Sequence, residues 1–324
     1  MAFSQIKGHQ IPIKILLNSL KRGILSPSYV FIGPRGTGKE FISLNFAKVI
    51  NCLDPVDSDC CDRCSSCLKI QNYNHPDIHW IRKDESGSIK IETVRNLQKN
   101  IYLKPWEAKR KIFIICEAEN LTAEAQNSLL KTLEEPPKEN ILILTTSKPN
   151  LVFLTIISRC KRIIFSSLNT DSLKKILIQD FSLSDLQAHF LAYFSEGRYQ
   201  KALEFKERDL FNEKKTILSY FLERNLSPKD NPNIKDLIKD KEGFNLILSV
   251  LISWFRDILL LKRGIFSEII NVDQREKLLE SFSKYTFEEL EEIYKMLKEI
   301  SFCYEQNVNP KLILNYIKVN LWKG

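Results

Sequence analysis

The chain has 324 residues, 44% of them hydrophobic and 27% charged, with a formal net charge of +8. This length accommodates two or three domains with a sizeable core, and the composition is that of an ordinary globular protein. The longest apolar runs, such as "LILSVLISWF" (246–255), fall short of a membrane span and are followed at once by Arg256 and Asp257, so no membrane partner is expected. The basic excess lies wholly in the first half: residues 1–170 hold 24 Lys and Arg against 16 Asp and Glu, and residues 171–324 hold 24 of each. Such a surface suits a polyanion such as DNA or a nucleotide, and equally a solvated lysine-rich face.

The N-terminal "MAFSQIKGHQ" has no apolar signal core behind it, so a cytoplasmic location is expected. Eight cysteines in such a chain point to metal or free thiols before disulfides.

In chain order, the first clear element is "SYVFIG" (28–33), an apolar run ending in glycine and followed by a helical pattern through "FISLNFAKVI" (41–50). Between them lies "GPRGTGKE" (33–40), with the glycines and lysine of a phosphate-binding loop, G-x-x-x-x-G-K-[ST]. Glycines let backbone N–H groups turn inward around phosphate oxygens at a helix N-terminus, and the lysine reaches the terminal phosphates. Gly33, Gly36, Gly38 and Lys39 are in place, but Glu40 stands where a hydroxyl would bind Mg²⁺.

Next come Cys52, Cys61, Cys64 and Cys67, spaced C-x8-C-x2-C-x2-C, with Cys60 as an extra thiol. Four thiolates this close can close a tetrahedral structural Zn²⁺ site, with Cys60 a possible substitute for Cys61. His75 and His79 are expected at the surface of the following strand. "DIHWIRK" (77–83), "KIFIIC" (111–116), "ILILTTS" (141–147) and "KRIIF" (161–165) are further strands, separated by helical stretches such as "IETVRNLQKNIYL" and "TAEAQNSLLKTLEE". Apolar strands alternating with helices predict an α/β fold with a parallel sheet covered on both faces. In "IFIICEAEN" (112–120), where an ATPase reads Asp-Glu after the strand, this chain reads Cys116-Glu117. Loss of both metal ligands argues against Mg-ATP hydrolysis.

After about residue 167 strand signals stop. Asn169 or Thr170 is the expected cap of the next helix. A small helical domain is predicted over 167–207 and a larger helical bundle over 208–324, with "RNLSPKDNPN" (224–233) as a loop inside it.

The order of phosphate loop, cysteine insert, "AQNSLLKTLEEPP" (125–137), "TTSKPN" (145–150), "SRC" (158–160) and "NVNPKLIL" (307–314) resembles the bacterial clamp-loader family. These AAA+ proteins open the sliding clamp of the replicative DNA polymerase. "SWFRDILLLKRG" (253–264) is similar to the collar of the family's non-hydrolysing branch. The resemblance implies an AAA+ domain over 1–166 with a zinc module at 52–67, a helical lid over 167–207 and a helical collar over 208–324. It implies gamma/tau ATPase and delta subunits as partners, with the sliding clamp and primed DNA met through the complex. By the same resemblance Arg159 is an arginine finger for a neighbouring subunit, and Thr146 or Ser147 a vestigial phosphate sensor. Gln200 stands where active members have a sensing arginine, with Arg198 close by, so ATP binding is expected to be weak or absent. The alternative is a divergent gamma/tau-like ATPase that manages without the two metal ligands.

Overall fold

The computed structural model describes residues 3, 6 and 8–321, except 58, 138, 223–233, 235, 236, 238–240 and 304–309. The stretch 224–233 and residues 307–309 of the C-terminal motif therefore lie outside the described residues. The chain forms two compact units, one of Met1–Leu168 with Arg198–Lys201, the other of Asn169–Gly197 with Ala202–Gly324.

The first unit runs α1 (Gln10–Lys21), β1 (Ser28–Ile32), α2 (Lys39–Asn51), α3 (Ser65–Gln71), β2 (Ile78–Ile81), α4 (Ile91–Ile101), β3 (Lys111–Ile115), α5 (Ala123–Glu134), β4 (Asn140–Thr146), α6 (Leu154–Arg159) and β5 (Lys161–Ile164). All five expected strands form, and they pair in parallel in the order β2-β3-β4-β1-β5. Successive strand residues point to opposite faces. Tyr29, Phe31, Ile112, Ile114, Ile141 and Ile143 therefore join the core under α1–α3, with Ile13, Ile42 and Ile70. Val30, Phe113, Ile115, Leu142 and Leu144 join the core under α4–α6, with Val94, Leu97, Leu129 and Ile156. The inner strands β1, β3 and β4 read as near-continuous apolar runs because both of their faces are covered, whereas the edge strand β5 is largely exposed.

His75 is not a surface residue, and His79 is only partly exposed. His75 is buried, and its Nδ1 accepts from the backbone N–H of Asp77 at 3.2 Å. His79 stacks on Phe113, its register partner on β3, with ring centroids 4.7 Å apart. The segment after α4 covers this corner: Asp77 is buried and accepts backbone N–H groups from Trp106, Glu107 and Ala108 at 2.8–2.9 Å. Burial opposes the Asp77 charge, but these three donors hold its carboxyl below the usual range.

The second unit is helical: α7 (Thr170–Phe181), α8 (Asp185–Phe194), the body of α9 (Tyr199–Glu207), α10 (Leu210–Leu222), α11 (Lys241–Lys262), α12 (Arg275–Lys284), α13 (Phe287–Cys303) and α14 (Pro310–Leu321). Asn169 is the cap of α7, its side chain accepting from Asp171 and Ser172 N–H groups. α7 and α8 belong to the same compact unit as the later helices. The 22-residue α11 extends beyond the 246–255 run and is long and apolar enough to cross a membrane. It is instead the core of this unit, with Phe244, Ile247, Leu251, Trp254, Phe255 and Ile258 all at 0% exposure. Its Asp257 is also fully buried, accepting from the N–H groups of Ile270 and Asn271 and from the Asn271 amide.

A degenerate phosphate loop, a thiol cluster and an arginine on the opposite edge

The phosphate loop follows the C-terminal end of β1 and opens α2, as the motif requires. Gly33 is fixed by close approach: a Cβ there would lie 2.2 Å from the Phe165 carbonyl oxygen. Gly36 has φ +81°, and a Cβ there would crowd Lys201 Cβ at 3.2 Å. The segment Arg198–Lys201 thus sits on the loop, and the Gln200 backbone N–H donates to the Gly36 carbonyl at 3.1 Å. Gly38 caps α2 in the left-handed region. The Lys39 ammonium donates to the Gly33 and Pro34 carbonyls at 2.7 and 2.8 Å. Burial lowers its pKa, opposed by the charges of Glu119, Glu40 and Glu117. His9 also binds the loop, its Nε2 lying 2.7 Å from the Thr37 carbonyl.

The two unusual positions lie close together. The Cys116 thiol is buried near the Glu40 carboxylate, and burial with that negative charge pushes the thiol up to about 12. Glu40 is paired in turn with Arg82, Nη2 to Oε2 at 2.8 Å, and the Arg82 guanidinium lies over the Trp80 ring at 5.3 Å. Glu117, held at φ +50°, pairs with Lys83 at 2.9 Å and Arg35 at 3.7 Å. Its backbone N–H donates to Thr145 Oγ1. Glu119 accepts from the Ser147 hydroxyl at 2.6 Å and from the Ser147 N–H at 3.1 Å. Thr146 is fully buried: its carbonyl accepts from Gly33 and its hydroxyl oxygen from the Lys148 N–H. Of the two sensor candidates, Ser147 is engaged with Glu119 and Thr146 ties β4 to the loop.

The sequence pattern missed His9, Arg35, Arg82, Lys83 and Glu119. Arg82 and Lys83 follow β2 directly, Glu117 and Glu119 follow β3, and Ser147 follows β4. The available signal was position: parallel strands deliver their next residues to one edge, where such sheets bind ligands.

The four cysteines Cys52, Cys61, Cys64 and Cys67 converge, with all sulfurs within 4.8 Å of one another. A tetrahedral zinc with four thiolates spaces its sulfurs about 3.8 Å apart, so the cluster is close to that size. Backbone N–H groups of Cys61, Cys64 and Cys67 donate to the sulfurs of Cys52, Cys61 and Cys64 at 3.3–3.4 Å. Burial disfavours the Cys64 thiolate, but N–H donation from Cys67 and Leu53 and the neighbouring thiols bring it down to about 6. Cys60 is not part of the cluster. It is buried in the core under α1–α3, its Sγ 3.6 Å from Asp62, and burial raises its thiol to about 12.

Arg159 ends α6. Its Nη2 donates to Glu134 at 2.7 Å and its Nη1 to the Thr155 carbonyl at 3.0 Å. Buried Gln126 sets this helix: its Oε1 accepts from Phe153 N–H at 2.7 Å, and its Nε2 donates to the Leu121 and Leu151 carbonyls. Register fixes where Arg159 lies: Lys161, two residues on, pairs with Tyr29 at the start of β1, whereas the phosphate loop follows Ile32 at its end. About 10 Å of strand therefore separates the arginine's edge from its own loop.

Residues 8–169 match a family model described as DNA polymerase III, delta subunit, and residues 208–317 match the model of its C-terminal part. The DNA polymerase III subunit delta' of Bacillus subtilis is 30% identical over 318 residues, covering 96% of this chain and 95% of that protein. The chain belongs to the delta-prime family. It is a clamp-loader subunit of DNA polymerase III with an AAA+-type sheet domain. The match to gamma/tau proteins is partial: gamma/tau of Mycoplasma genitalium is 37% identical over 169 residues, covering 52% of this chain and 28% of that protein. A solved gamma-subunit-related protein of Thermotoga maritima shares the fold, with TM-score 0.56 and 20% identity over 94% of this chain and 98% of that one.

Proposed function

We propose that this chain is the non-hydrolysing member of a clamp loader, assembled with gamma/tau ATPase and delta subunits to load the sliding clamp onto primed DNA. The observation that supports this most directly is the loop's metal-ligand position, where Glu40 is paired with Arg82 at 2.8 Å. A carboxylate and a buried thiol, Cys116, stand where Mg-ATP chemistry needs a hydroxyl and an aspartate. Glu117, the residue in the usual position of the catalytic base, is tied to Lys83 and Arg35. In this reading the loop is a retained scaffold. Arg159 is offered to a neighbouring subunit, where a planar guanidinium would neutralise charge developing on a γ-phosphate. The isolated chain is expected to hydrolyse no ATP above background in a steady-state phosphate-release assay. Turnover that Lys39→Ala abolishes would instead make it a divergent gamma/tau-like ATPase.

The metal in the thiol cluster is proposed to be zinc, held by Cys52, Cys61, Cys64 and Cys67. Bound there it has no open position and serves to fasten the insert to α2 and α3. Protein purified without chelator is expected to carry about one zinc per chain by elemental analysis, as structural sites of this kind do. Cys64→Ser should abolish it and Cys60→Ser should leave it unchanged. Chelation should speed amide exchange in the 52–67 insert well before the sheet, because metal binding is folding energy for a segment with little core of its own. Equal protection with and without metal would count against a structural role.

A further inference from the structure

The carboxylates at the C-terminal edge of the sheet are already balanced. Glu40, Glu117 and Glu119 all act on Lys39, and two of them hold further cations: Glu40 pairs with Arg82, and Glu117 with Lys83 and Arg35. The third, Glu119, is hydrogen-bonded by Ser147. Arg82 is the distinctive member. It leaves the end of β2, the edge strand, and is braced from below by Trp80. It reaches across to the residue that stands in the metal-ligating position of the loop, whose other neighbour is the Cys116 thiol.

We propose that Arg82 is the built-in counter-cation of this loop: its guanidinium takes the charge-balancing place of a divalent metal and keeps Glu40 from binding one. Three physical points support this. A carboxylate next to a phosphate-binding loop is unfavourable unless a cation offsets it. A guanidinium engages a carboxylate through fixed donors and stays charged at all relevant pH. A buried thiol at position 116 stands near Glu40 without supplying the carboxylate oxygen that a hard divalent cation favours. Arg82, Glu40 and Cys116 thus form one unit, in which the two departures from an ATPase site compensate each other through a third residue.

The inference rests on reading the loop as one that does not turn over nucleotide, yet it is tested separately. That reading fails if the wild-type chain hydrolyses ATP, whereas this one is decided by cation binding alone. The probe is Mn²⁺, titrated into the full chain with its thiol cluster loaded, with free Mn²⁺ followed by electron paramagnetic resonance. Wild-type protein is expected to take up no Mn²⁺ at the loop in the low-millimolar range. Arg82→Gln should bind one Mn²⁺ at least tenfold more tightly. Arg82→Lys should behave like wild type, and Arg82→Gln combined with Glu40→Gln should lose the gained site. Arg82 is half exposed, so these variants should keep the wild-type melting temperature, which is measured alongside. The proposal is overturned if wild type binds Mn²⁺ as tightly as Arg82→Gln, or if the folded Arg82→Gln chain gains none. It is also overturned if the gained site survives Glu40→Gln.

Discussion

A clamp loader assembled with the Arg159→Ala chain is expected to keep its composition and lose DNA- and clamp-stimulated ATPase at one site. Arginine fingers contribute about 10³–10⁵ in rate at the site they serve. The activity of the whole complex should fall by the share of that site, leaving the turnover of any sites served by other subunits. Assembly should survive because, among the described residues, Arg159 hydrogen-bonds to Glu134 and the Thr155 carbonyl, both at the chain's own surface. Arg159→Lys should rescue poorly, since an ammonium lacks the planar fork that engages two phosphate oxygens. The check is size-exclusion chromatography of the complex followed by ATPase and clamp-loading assays. Wild-type rates in an intact Arg159→Ala complex would reduce this arginine to a surface charge and leave the subunit a structural role only.

The largest effect on stability is expected in the helical unit, from Asp273→Ala. Lys214 is fully buried, its ammonium 2.5 Å from Asp273 and 3.8 Å from the centre of the Phe190 ring. Removing the carboxylate leaves a buried, uncompensated ammonium, which costs about 3–5 kcal/mol. The Lys214→Met, Asp273→Leu pair should recover most of that, because replacing both charges by apolar groups is often neutral. The pH dependence gives a further check. Burial lowers the Lys214 pKa in the folded state, with Asp273 opposing, and without Asp273 it falls further. Between the folded and unfolded lysine pKa values the unfolded chain binds more protons, so stability rises with pH there. The deficit of Asp273→Ala should therefore be largest near neutrality and narrow toward alkaline pH in denaturant titrations. A deficit independent of pH would mean that Lys214 keeps its proton throughout.

The inner strands were legible because a strand buried on both faces is a near-continuous apolar run, and these runs end in Gly33, Cys116 and Ser147. Which residue faces which helix layer was not, since continuous runs carry no alternation; strand order was needed to place Ile114 and Phe113 in different cores. The thiol cluster was legible from spacing alone, but the choice between Cys60 and Cys61 depended on backbone direction. Two adjacent residues point opposite ways, and only Cys61 faces Cys52. His75 was misjudged because what buries it, the segment pinned to Asp77, arrives from beyond α4. Glu40 and Cys116 could each be seen as a departure. Their proximity, and the pairing of Arg82 with Glu40, depended on β1, β2 and β3 ending at the same edge of the sheet.

The register of β5 against β1 has a consequence for architecture. Arg159 and the phosphate loop lie at opposite ends of the same strands, so a subunit that lends the arginine does so from one pole and would receive one at the other. Contacts of this head-to-tail kind give an assembly a direction and do not close on themselves by twofold symmetry. In an open row of such subunits every member except the two at the ends can be both lender and borrower. If this chain lends Arg159 while its own loop is neutralised from within, its natural station is the end of the row where only its lending pole is used. The direction of such an assembly would then trace to a single arginine placed just before the start of a short strand.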